Sequence, residues 1–147
     1  MQKTMTKTRW IRYEDVPECV VIAAETLEDL WTPALMKKQL KRRRCFAKVA
    51  ADDTGIVGFI ICEATIDDIS IIAIAIRPDR WREGIGAELL KSVMSGHHAK
   101  TREEIYCAVR EYNTRAHLFF KEMGFLCLLI AEDDDHSFYV FERKLPE

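Results

Sequence analysis

The spacing of apolar positions divides the chain into short elements. Thr8 to Tyr13 reads as a first strand. Asp15-Val16-Pro17-Glu18 supplies a capping acid, an early proline and a carboxylate three residues on. Val20, Val21, Ala24 and Leu27 follow at helical spacing. Thr32-Pro33 opens a second helix with Leu35, Met36 and Leu40 on one face. Cys45 to Ala51, the turn Asp52-Asp53-Thr54-Gly55, and Ile56 to Glu63 predict a β-hairpin. Ile69 to Ile76 is nearly all apolar, as expected of a strand covered on both faces. A helix is predicted from about Gly84 to Gly96, a strand over Glu103 to Arg110, and a helix over Thr114 to Met123. Phe125 to Ile130 and Ser137 to Lys144 read as strands around a polar turn, Ala131 to His136. The order β-α-α-β-β-β-α-β-α-β-β predicts an α+β sandwich around a mixed sheet rather than a doubly wound fold.

At 147 residues the chain has room for one domain, residues 1–147, with its ordered core expected at about 8–145. A net charge of −2 creates no field that calls for nucleic acid or an anionic membrane. The longest apolar run, Ile69 to Ile76, is too short to span a bilayer, and Met1-Gln2-Lys3-Thr4 begins no apolar signal segment. The five cysteines form no CxxC pair and no metal-spaced cluster, so no metal is expected. Cys62, Cys107 and Cys127 lie in apolar stretches and read as small hydrophobes. These features predict a reduced, cytoplasmic protein, as a monomer or homodimer. Lys37 to Arg44 carries six basic residues in eight, read as a solvated helix end whose cations suit the helix C-terminus. Asp133-Asp134-Asp135 reads as a hairpin turn.

Chemistry concentrates after the apolar strand, in Trp81-Arg82-Glu83-Gly84-Ile85-Gly86-Ala87. The first turn of a helix has backbone N–H groups without partners, and the macrodipole adds partial positive charge. A pyrophosphate fits there if the backbone can approach closely, and glycines at 84 and 86 remove obstructing Cβ atoms. A dinucleotide fingerprint would need glycine at 89, where Leu89 stands, and no Gly-Lys-Ser/Thr of a P-loop is present.

Three blocks stand in order: Ile74-Ala75-Ile76-Arg77-Pro78-Asp79, Arg82 to Leu90, and Val109-Arg110-Glu111-Tyr112-Asn113-Thr114-Arg115-Ala116 leading into Phe119 to Phe125. In these the chain resembles the GNAT superfamily of N-acetyltransferases, and within it the bacterial ribosomal-protein-alanine N-acetyltransferases. The likeness runs from about Thr8 to Leu145, and Trp31 matches a Trp before the second helix in that group. The resemblance implies a mostly antiparallel seven-stranded sheet flanked by about four helices, and acetyl-CoA as cosubstrate. It implies that the backbone of Ile74, Ala75 and Ile76 pairs with the pantetheine arm. Arg82, Glu83, Gly84, Ile85, Gly86 and Ala87 would hold the pyrophosphate, with Asn113 and Phe120 further along the cofactor. It also implies direct transfer to an amine, in which a base removes the amine proton and an acid protonates the thiolate. The acceptor would be a protein N-terminus or, alternatively, a small amine.

Three positions depart from the family pattern. Trp81 stands where Gln or Arg usually begins the loop, Phe120 where a general-acid tyrosine is common, and Ala108 where the alanine N-acetyltransferases carry a catalytic glutamate. Loss of acid–base help costs about 10²–10⁴-fold, and a thiolate of pKa about 8–9 leaves without much assistance. Tyr106, two residues from Ala108 on the same strand face, and Asp68, at the start of the apolar strand, are the substitute catalytic candidates, with Ser70 and Glu63 nearby. The missing groups also leave open a catalytically silent acetyl-CoA sensor.

Overall fold

The computed structural model describes residues 5–146, so the reading of Met1 to Thr4 lies outside the described residues. Seven strands form one sheet: β1 (Lys7–Trp10), β2 (Cys45–Asp52), β3 (Gly55–Ala64), β4 (Asp68–Ile76), β5 (Glu104–Arg110), β6 (Leu126–Glu132) and β7 (Ser137–Lys144). Their order is β1-β2-β3-β4-β5-β7-β6, antiparallel except for β4 beside β5. Four helices flank it: α1 (Val16–Thr26), α2 (Pro33–Leu40), α3 (Ile85–Met94) and α4 (Thr114–Glu122). Among the described residues no helix is long and apolar enough to cross a membrane.

Local chemistry sets the helix starts. Thr32 accepts a hydrogen bond from the Leu35 N–H at 3.1 Å, with Pro33 at the first helical position. Asp15 does not cap α1 with its side chain as its position predicts. Its carboxylate instead takes both Arg9 nitrogens, at 2.7 and 2.9 Å, and the Arg12 N–H, tying β1 to the helix entrance.

Two cores lie on opposite faces of the sheet. One, under α1 and α2, contains Cys19, Ile22, Met36, Phe59, Ile61, Ala73 and Ala75 and takes nothing from β5 to β7. The other, under α3 and α4, contains Ile69, Ile71, Leu89, Ile105, Cys107, Phe120 and Phe141. Strand β4 serves both, and a bulge changes which of its positions face which core: Cys62 pairs with Ile71 and Ile61 with Ala73, leaving Ile72 as the extra residue. Before the bulge, the odd residues face α3 and α4. After it, the odd residues face α1, while Ile74 and Ile76 pack toward α3 and α4. The strand is covered on both faces only beyond the bulge, Asp68 and Ser70 before it belong to neither core, and Ile72 is 39% exposed.

Cys62 and Cys107 are buried, as their apolar surroundings predict, and burial pushes the Cys107 thiol up to about 12. Cys127 departs from that expectation and is exposed, because β6 is an edge strand that neither core covers. The turn at Asp133 is a side-chain turn: its Oδ1 accepts from the Asp135 and His136 N–H groups at 3.0 and 2.8 Å. Lys37 and Lys38 occupy the last turn of α2, and Arg42 pairs with Glu63 at 2.8 Å.

Candidate active site

Parallel pairing of β4 with β5 runs only from Asp68 to Ile71 against Glu104 to Cys107. Beyond the bulge the two strands part and open a cleft of about 920 Å³, lined by Ile74 to Ile76, the glycine loop and the first turns of α4. The Arg77 N–H bonds back to the Val57 carbonyl at 2.8 Å. By alternation the polar groups of Ala75 and Ala73 turn toward β3, and those of Ile74 and Ile76 turn toward the cleft. This half-ladder of unpaired backbone is what an extended chain adds to as a strand. The Ile76 carbonyl is already taken by the Trp81 indole N–H at 2.8 Å.

The glycine loop sits at the mouth of this cleft. Gly84 caps α3 at φ 82°, and nothing lies within 4 Å of the Cβ it lacks, so the helix N-terminus is open to a ligand. Gly86 is small for a further reason: a Cβ there would lie 3.1 Å from the Phe119 ring, so α3 and α4 meet through this position. Arg82 holds φ 70°, a left-handed conformation unusual for a residue with a side chain.

The Glu83 carboxylate turns away from the cleft. It accepts from Arg80 Nε at 2.8 Å, while Arg80 Nη1 reaches Asp52 at 2.5 Å. Thr54 donates its backbone N–H and hydroxyl to the same Asp52, and these bonds, with Arg80, hold that carboxyl down at about 2. The loop is thereby pinned to the β2–β3 turn, a tie between distant segments that no local spacing reveals.

On the other lip, Asn113 accepts from the Ala116 N–H at 3.1 Å and caps α4. Phe120 is 1% exposed, packed on Phe125 and Phe141, and borders the cleft. His117 donates Nε2–H to the Arg110 carbonyl at 3.0 Å and packs on Tyr139, so it faces inward as a tie between α4 and β5. Arg115 stacks on the Trp81 ring 3.2 Å from its centroid, joining the two lips. The α1–α2 connection folds over the end of β5 through Asp29 to Arg110 at 2.8 Å and Glu28 to the Tyr112 hydroxyl.

The catalytic candidates occupy the opposite face of the sheet from α3 and α4. Ile105, Cys107 and Val109 enter the core there, so Glu104, Tyr106 and Ala108 point to the other side. Tyr106 donates its hydroxyl to Glu104 at 2.5 Å, and this bond raises its pKa to about 12. Burial, then the charges of Glu104 and Asp67, raise Asp68 above the usual carboxylate range. Asp68 is in register with Glu104, Ser70 with Tyr106, and Tyr106 with Glu142. These side chains form one group at the starting ends of β4 and β5, and none of them is among the residues lining the cleft. Glu63 is in register with Ser70 on the same face, and its carboxylate is engaged by Gln39 and Arg42.

A family model described as "Acetyltransferase (GNAT) family" matches residues 9–125. The chain belongs to the GNAT acetyltransferase family. Comparison of its sequence with curated proteins returned no match. Among solved structures, Ard1 from Thermoplasma volcanium superposes with a TM-score of 0.87 at 22% identity, over 97% of this chain and 99% of that one. The ribosomal-protein-S18-alanine N-acetyltransferase from Escherichia coli gives 0.85 at 17% identity, over 97% and 96%. Arabidopsis thaliana NAA60 in complex with acetyl-CoA gives 0.82 at 15% identity, over 96% and 99%.

Proposed function

We propose that the protein transfers the acetyl group of acetyl-CoA directly to an amine in the cytoplasm, with a protein N-terminal α-amine as the acceptor. The observation that carries this reading is the parting of β4 from β5 beside the glycine loop, which leaves unpaired backbone next to an open helix N-terminus. Acetyl-CoA supplies the acyl group as a thioester. The N–H groups at the start of α3 hold its pyrophosphate, with Gly84 allowing close approach. The backbone of Ile74 and the N–H of Ile76 align the pantetheine arm, and Asn113 and Phe120 border it on the α4 side. Proton removal falls to the group of Asp68, Glu104 and Tyr106. The raised pKa of Asp68 brings it nearer to that of an efficient base at neutral pH.

Asp68, Glu104 and Glu142 at neighbouring register positions favour a second reading, acetylation of a small cationic amine. A third, a silent acetyl-CoA sensor, draws on Ala108 and on Phe120, whose ring has no proton to donate. Thiol release from acetyl-CoA, measured across peptides and polyamines, separates the three. Release with peptides alone is the expected result, release with polyamines alone establishes the second reading, and binding without any release establishes the sensor. Gly84→Glu is expected to abolish cofactor binding, and a variant binding normally would overturn the site assignment.

A further inference from the structure

The pyrophosphate cradle uses backbone N–H groups, which suits a diester-like group of modest charge density. Two guanidinium groups stand beside it. Arg82 projects from the loop at φ 70°, and Arg115 lies across the cleft mouth on the Trp81 ring, 3.2 Å from its centroid. Both line the cleft. Among the described residues neither guanidinium has an ion pair: Glu83 is committed to Arg80, and Glu122, the acid that lines the cleft, lies seven residues along α4 from Arg115.

The two cations also oppose each other. Burial first, then the Arg82 charge, lowers the Arg115 pKa. Like charges held together without a counter-charge are relieved by one multiply charged anion, and the guanidinium fork matches phosphate oxygens. Trp81 stands where the family carries Gln or Arg, and its ring fixes where the Arg115 fork points.

We propose that Arg115, seated on Trp81, and Arg82 form a subsite for a phosphate monoester, the ribose 3′-phosphate of coenzyme A. This inference rests on the cosubstrate reading above. It makes the protein selective for coenzyme A over dephospho-coenzyme A, which keeps the pyrophosphate and loses only the monoester. Arg115 is exposed, so its replacement leaves the core untouched.

Calorimetric titration of the full chain with coenzyme A and dephospho-coenzyme A tests the proposal, using the wild type, Arg115→Gln and Arg115→Lys, each checked for an unchanged melting temperature. The wild type is expected to bind coenzyme A at least about tenfold more tightly, the scale of one charge-assisted phosphate contact. Arg115→Gln is expected to bring that ratio toward one with dephospho-coenzyme A affinity unchanged, and Arg115→Lys to retain part of it. Equal wild-type affinities would overturn the subsite while leaving the cosubstrate reading intact, as would a loss in Arg115→Gln shared equally by both ligands. Failure of the wild type to bind either ligand would overturn the cosubstrate reading itself.

Discussion

A Cβ at Gly86 would meet the Phe119 ring at 3.1 Å, and Phe119 is itself part of the cleft wall. Gly86→Ala therefore acts on ligand and fold together. It is expected to cost about 1 kcal/mol of stability, at the low end of overpacking, and to weaken acetyl-CoA binding by displacing the ring. Thermal unfolding and calorimetry check the two effects separately. Cysteine position is just as decisive. Cys19, Cys62 and Cys107 are buried, with thiols pushed up by desolvation, while Cys127 is exposed on β6. A thiol reagent at neutral pH should label Cys127 rapidly in the native protein and these three only on unfolding, as read by mass spectrometry. A native-state label on Cys62 would contradict the packing described.

At the scale of elements, the decisive piece is the pin between the β2–β3 turn and the glycine loop. The Arg80 side chain is 12% exposed and that of its partner Asp52 is covered, so Arg80→Met strands a carboxylate that retains only Thr54. The expected cost is about 2 kcal/mol, between the values for exposed and fully buried ion pairs, measured by urea unfolding. The same contact sets a pH dependence. The folded Asp52 carboxyl lies at about 2, below its ordinary 3.8, so its contribution is complete above 3.8 and fades as pH falls toward 2. Asp52→Asn should flatten that part of the acid-unfolding curve, and an unchanged curve would count against the pin. This element was not legible in the sequence. Asp52, Arg80 and Glu83 come together only after β3 and β4 have brought the two turns to one end of the sheet. The helices were legible, because Thr32-Pro33 and the Gly84 cap announce themselves locally.

For the whole molecule, the alternating and helical spacings sufficed for the seven strands and four helices, and the blocks around Ile74, Gly84 and Asn113 sufficed for the family. What they could not supply was the sheet's exceptions. Composition made β4 a doubly covered strand, whereas the bulge and the parting from β5 expose Ile72. The acid group around Asp68 was half legible. Asp68 and Tyr106 stand out as residue types, but Glu104, the partner that fixes the Tyr106 hydroxyl, becomes visible only through strand register.

The extra residue at Ile72 also sets how this strand tolerates change. It works as a parity switch: one core is addressed by odd positions before it, the other by odd positions after it. Substitutions at Ile72 leave that bookkeeping intact. Deleting it would join Ile71 to Ala73 in plain alternation and leave Ala73 and Ala75 facing α1, with Ile74 and Ile76 facing α3 and α4. Deleting a paired neighbour such as Ile74 would instead invert the side chains on one side of the gap. The protein should accept many residues at position 72 and tolerate loss of this residue better than loss of a paired neighbour, so a library of single deletions along β4 should retain folding best at this site, as read by soluble yield and cooperative melting.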